Sequence, residues 1–110
     1  MDLQKKDKKI ARQIIEIGLQ REYEKGLSSF DTIIRDWKEK KMGNTESYLL
    51  LYKRLTNFDK HIARSYNNMT GSKYFSIILN QLYNGIITQE DIKELSDEII
   101  QKLNFLISEY

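Results

Sequence analysis

Few residues in this chain could do chemistry, and they stand apart from one another. The single histidine, His61, has Arg54, Asp59 and Arg64 near it in sequence. A general base or metal ligand on a helix needs a helper three or four residues away, where two side chains share a face. Positions 57, 58 and 65 are Asn, Phe and Ser. The Glu-x-x-His spacing of helical di-iron sites is therefore missing, and so is a same-face carboxylate. There is no Cys, which removes disulfides, thiolate zinc sites and a thiol nucleophile together. Ser28, Ser29, Ser72 and Ser96 lie in no nucleophile elbow, and no glycine-rich phosphate loop is present. The sequence therefore assigns no catalytic residue, no metal and no cofactor. It leans away from an enzyme. The least favoured of the three functional readings is an enzyme with a pocket near His61, drawing on Arg54, Arg64 and Tyr48.

Two groups of residues could recognise a partner. Lys5, Lys8, Lys9 and Arg12 fall at i, i+3, i+4 and i+7, so they line one helix face. Such a face could meet nucleic acid or another anionic surface, although Asp2 and Asp7 dilute it and no aromatics are interleaved to stack on bases. The seven tyrosines are the more distinctive feature. Tyr48, Tyr52, Tyr66, Tyr74, Tyr83 and Tyr110 lie on or near apolar stripes, and a phenol offers broad contact with a polar tip. Tyr66, Asn67, Asn68, Lys73 and Tyr74 cluster around one predicted loop and form the candidate partner-binding group.

The elements that must position these residues are helices. No charged residue occurs between Lys73 and Glu90, in a chain where 31% of residues are charged. The run YFSIILNQLY within that stretch is apolar nearly all round and too short to cross a bilayer. It predicts a buried central helix over about 72–84. A first helix is expected over 3–25, with Ile10, Ile14 and Ile17 at helical spacing and Ala11, Ile15, Gly18 and Glu22 beside them. Gly18 marks either a close approach or a tolerated cost of about 1 kcal/mol. Gly26 reads as a stop. Ser28 or Ser29 then caps a second helix, with Phe30, Ile33, Ile34 and Trp37 as its stripe and Lys40 and Lys41 in its last turn. A third runs over 45–67, capped by Asn44 or Thr45, with Tyr48, Leu51, Leu55, Phe58 and Ile62 spaced by three and four. The last begins at Thr88, where Asp91 completes a capping-box pattern, and carries Ile92, Leu95, Ile99, Leu103 and Leu106. Ile100, Phe105 and Ile107 add apolar surface there, which points to deep packing or a dimer contact.

Two short stretches resemble known motifs. Asn80 to Asp91 resembles an EF-hand loop in placing Gly85 sixth and Ile87 eighth, but its third position is Leu82, which offers no ligand oxygen. Residues 87–95 resemble the first helix of a helix-turn-helix repressor, but the pattern continues helically through Ser96 to Gln101 with no glycine turn, and the segment is acidic. Both are set aside.

The resulting expectation is an all-α, single-domain bundle of about five helices over residues 1–110, built around the helix at 72–84. Net charge is +2 overall, with +6 in residues 1–85 and −4 in 86–110, as suits an acidic last helix beside basic neighbours. With no apolar leader region and no spanning segment, the cytoplasm is the expected compartment. The expected function is a small protein-binding or regulatory module whose partner is another protein or a second copy. The alternative is a nucleic-acid-associated protein using Lys5, Lys8, Lys9 and Arg12.

Overall fold

The computed structural model describes residues 3–109, so Asp2 and Tyr110 lie outside the described residues. It is all-helical there. Four α-helices are present, α1 (Lys5–Lys38), α2 (Asn44–Tyr66), α3 (Tyr74–Tyr83) and α4 (Asp97–Ser108), and a 3-10 turn, Gly71–Lys73, leads into α3. No described helix is long and apolar enough to cross a membrane. The contacts divide the chain into two compact units. A terminal unit joins the chain up to Arg21 with Asn68 onward. A hairpin unit comprises Glu22–Asn67.

The helix count corrects the five-helix expectation, because the first two predicted helices are one. Gly26 is not a stop. A single glycine costs a helix about 1 kcal/mol, and with no proline in the chain nothing else breaks it. The buried positions show why the helix continues: Ala11, Ile15, Gly18, Glu22, Gly26 and Ile33 keep the 3.6-residue period straight through the expected break. Ser28 and Ser29 are therefore interior residues. The Ser28 carbonyl accepts from Thr32 Oγ1 at 3.1 Å. The helix ends at Lys38, so Lys40 and Lys41 lie in the turn after it. Lys40 takes a left-handed φ of 61°. Its N–H reaches Trp37 O at 3.0 Å, and Lys41 N–H reaches Asp36 O at 2.9 Å. These are the two bonds of a Schellman closure, made here by lysine.

In the terminal unit α3 buries Tyr74, Phe75, Ile77, Ile78 and Gln81. Ser76, Asn80 and Tyr83 are exposed, so this helix is buried along one side rather than all round. Packed with it are Leu3, Ala11, Ile14 and Ile15 from the chain's beginning and Ile87, Ile92, Leu95, Ile99 and Leu103 from its end. Gly18 is the point of close approach. A Cβ there would collide with the Gln81 carboxamide, whose Nε2 donates to Ile15 O at 3.1 Å.

The last predicted helix is also corrected. The Thr88–Asp91 interaction forms: Thr88 N–H and Oγ1 both donate to Asp91 Oδ2, at 2.7 and 3.0 Å. The chain beyond it nevertheless runs in i→i+3 turns through Leu95, and α4 starts afresh after Ser96. Two things hold this irregular segment. Ile87, Ile92 and Leu95 are all buried, so the turns are anchored by apolar side chains. Arg21 also grips it, with Nη1 on Asp91 Oδ2 at 2.8 Å, Nη2 on Oδ1 at 3.1 Å and Nη1 on Ile86 O at 3.0 Å.

That two-pronged ion pair gives the terminal unit an acid-sensitive element. The Arg21 bonds, helped by the Thr88 donors, lower the Asp91 pKa from 3.8 to about 2. A carboxylate depressed on folding stabilises the fold above its unfolded pKa, and that contribution is lost as pH falls through the folded value. The window is therefore roughly pH 4 down to pH 2. Arg21 is half-exposed, so solvent screening trims the gain. Asp91→Asn is expected to lower the urea midpoint at neutral pH. The gap to the parent should narrow as pH drops through that window.

Candidate protein-interaction surface

The hairpin unit is the under-buried part of the chain. Of the fifteen buried apolar residues among those described, only Ile33 and Tyr66 belong to it, whereas eight of the twelve large apolar residues left exposed do. Two antiparallel helices of this length share one seam. Apolar residues flanking that seam stay in water unless something else covers them.

The flanking residues fall on one side. Ile34 and Trp37 of α1 and Tyr48 and Leu51 of α2 line a single groove whose floor includes Ile33 and Ser47. Leu27 lies seven residues before Ile34, on the same helix face; Tyr52 and Leu55 lie four and seven after Tyr48. Leu27 is 65% exposed, Tyr48 68%, Tyr52 60% and Leu55 49%. The face is thus a strip of aliphatic and aromatic side chains running along both helices. At its turn end, Trp37 Nε1 donates to Asn44 Oδ1 at 2.7 Å, which fixes the indole at the groove wall. Ser47 is buried, and its Oγ has no hydrogen-bond partner among the described residues.

The opposite end of the hairpin is held by a buried carboxylate. Glu22 accepts from the Tyr66 hydroxyl through Oε2, and its Oε1 lies 2.6 Å from His61 Nε2. Beside it the Phe58 ring packs edge-on to Phe30, with centroids 5.7 Å apart at 90°, and against Tyr23 at 6.4 Å. Both carboxylate oxygens are engaged inside the unit. The cluster therefore ties the end of α2 to α1. It does not present a free base.

The residues expected to bind partners are distributed differently from the expectation. Tyr66 and Tyr74 are both buried. Tyr66 and Asn67 belong to the hairpin unit, and Asn68, Lys73 and Tyr74 to the terminal unit. The Tyr74 hydroxyl accepts from Arg12 Nε at 3.1 Å, and the Arg12 guanidinium lies 5.9 Å from the ring centroid. Arg12 is thus engaged within its own unit. Lys8 is half-buried with its aliphatic stem against Gly71, while Lys5 and Lys9 are exposed. Asp7, expected only to dilute that basic face, is a buried residue. Its two oxygens accept from Ser96 N–H at 2.9 Å and Ser96 Oγ at 2.7 Å. His61, Arg54, Arg64 and Tyr48 do not converge. Arg54 donates to Ser29 Oγ at 3.1 Å and Arg64 to the Lys60 carbonyl at 3.4 Å, and thirteen helical residues, about 20 Å, separate Tyr48 from His61. In the last helix, Phe105 is 63% exposed beside a groove with Phe75 and Leu106. No group of three or more His, Cys, Asp or Glu that could hold a metal occurs among the described residues.

The hairpin face was only half visible beforehand. Ile34, Trp37, Tyr48, Tyr52 and Leu55 lie on or near the apolar stripes read from spacing, whereas Leu27 and Leu49 do not figure in them. The missed signal was quantitative: α2 carries Leu49 and Tyr52 beyond the seam-facing stripe, more apolar surface than one neighbouring helix can cover. No protein-family model matches this chain, and no curated protein or solved structure shows a significant similarity to it.

Proposed function

We propose that this protein is a protein-interaction module that works by helix-on-helix docking through the apolar face of its hairpin. The observation that supports the reading is the exposure of Leu27, Trp37, Tyr48, Tyr52 and Leu55 on one side of two helices. A contiguous apolar patch of that kind on a soluble fold marks a surface that meets another molecule. Its aromatic residues, Trp37, Tyr48 and Tyr52, are the types that anchor such contacts.

The test is a photo-activated cross-linking residue placed at Tyr52, compared with one at Arg35. Arg35 is also exposed, and pairs with Asp31 on the same helix at 3.2 Å. In the cells that make the protein, position 52 is expected to give a discrete protein adduct that position 35 does not. No adduct from position 52, or the same weak background from both, would remove the support for the reading.

A further inference from the structure

We propose that the occupant of the hairpin's apolar face is a second copy of this chain, with the two hairpins packing face to face as a two-fold four-helix core. The inference rests on the interaction-module reading and specifies its partner.

Three observations favour a copy. The first is area. With roughly 200 Å² for a large side chain, the exposures of Leu27, Ile34, Trp37, Tyr48, Tyr52 and Leu55 (37% to 68%) leave roughly 600–700 Å² of apolar surface open. A standard interface buries roughly 800 Å² per partner, so this face and its rim supply about what one half of a stable dimer needs.

The second is charge. A two-fold contact sets the same surface against itself, so any net charge on it is doubled and repels. Charges of both signs border the strip, with Asp31 and Lys38 on α1 and Asp59 on α2 at helical spacing from its apolar residues, and some are paired in place: Arg35 with Asp31 at 3.2 Å and Lys41 with Glu39 at 3.2 Å. A partner recognised by charge would need a one-sign rim, and this rim lacks it.

The third is architecture. A two-helix unit with Ile33 and Tyr66 as its only buried apolar residues has half of the layer that a helical core requires. A second hairpin with the same stripe supplies the other half. The groove floored by Ser47 and walled by Trp37 and Tyr48 receives apolar side chains from the copy.

The experiment is the solution mass of the purified full chain by sedimentation equilibrium across a wide concentration range, for the parent and three variants. Tyr52→Glu and Leu55→Glu place a charge within the proposed contact, at positions that are exposed in the single chain, so the helicity of the subunit should hold. Phe105→Glu places the same charge on an exposed apolar residue of α4. The parent is expected to be a dimer. The two hairpin variants should weaken the dimer at least ~100-fold, since each would bury an unpaired carboxylate, and Phe105→Glu should leave it unchanged. The proposal is overturned by a parent that stays monomeric at every concentration, by a dimer that survives Tyr52→Glu and Leu55→Glu, or by one that only Phe105→Glu breaks. A monomeric parent that still gives an adduct with a different protein from position 52 sinks this inference alone. A monomeric parent with no adduct sinks the interaction reading as well.

Discussion

Asp7→Ala is expected to destabilise the terminal unit by about 3 kcal/mol, a large share of the roughly 5–15 kcal/mol that holds a domain of this size. Asp7 is 3% exposed and sits in the first turn of α1. Its carboxylate accepts two bonds from Ser96, the residue that caps α4. The first backbone N–H groups of a helix have no partner within the helix, and the α4 cap makes no side-chain bond of its own to them. Asp7 therefore stands in for a local capping residue from the far end of the chain. It also places negative charge at the positive end of the α4 dipole. Removing it deletes two charge-assisted bonds at once, and Ser96, an exposed residue, then has only water in their place. Asp7→Asn keeps an acceptor oxygen but no charge and should lose about half as much. Ser96→Ala, which removes only the hydroxyl bond, should lose about 1 kcal/mol. Urea unfolding followed by far-UV circular dichroism orders the three. If Asp7→Ala matched Ser96→Ala, the backbone bond would carry none of the effect and the trans-capping argument would be wrong.

That contact shows where the sequence was legible and where it was not. Helical class and the approximate positions of α2 and α3 follow from apolar spacing and from Gly43 and Asn84, because local chain physics decides them. Asp7 has charged neighbours in sequence, yet Leu3, Asp7, Ala11 and Ile14 share one stripe. A carboxylate on an apolar stripe is a signal for a buried pair, and Glu22, between Gly18 and Gly26, is a second case. Their partners, Ser96 and Tyr66, lie far along the chain, and no local rule supplies them. The irregular run after Thr88 failed for the opposite reason. Its residues are good helix formers, but Arg21 holds both the Ile86 carbonyl and Asp91, and that tertiary grip outweighs their propensity, which is a weak preference. The open face of the hairpin escaped because periodicity says which side of a helix is apolar, not how much of it a neighbour covers.

Gly26→Leu is expected to have the largest effect of any single change in the hairpin, about 4 kcal/mol. By helix propensity alone the substitution should help, since any ordinary residue beats glycine in a helix interior by up to about 1 kcal/mol. Packing reverses the sign. A Cβ at position 26 would lie 2.6 Å from Cζ of Phe58 and 2.7 Å from Cε2, well inside the contact distance of two carbons. The ring cannot simply withdraw, because Phe30 stands edge-on against it and Tyr23 and His61 flank it. Moving Phe58 therefore moves His61 and with it the Glu22 anchor that ties the end of α2 to α1. Gly26→Ala is the milder probe, with a net loss of about 1–2 kcal/mol once the propensity gain is set against the clash. The same change in a Phe58→Ala background separates the two terms. With the ring gone, only propensity is left, and Gly26→Ala should become stabilising by up to about 1 kcal/mol. A sign that does not invert would mean the glycine is merely tolerated and that Phe58 does not read its missing side chain. Inversion would show that the continuity of α1 through position 26 is set by the ring packed against it, since that ring requires a glycine inside a helix where the local sequence reads as an end.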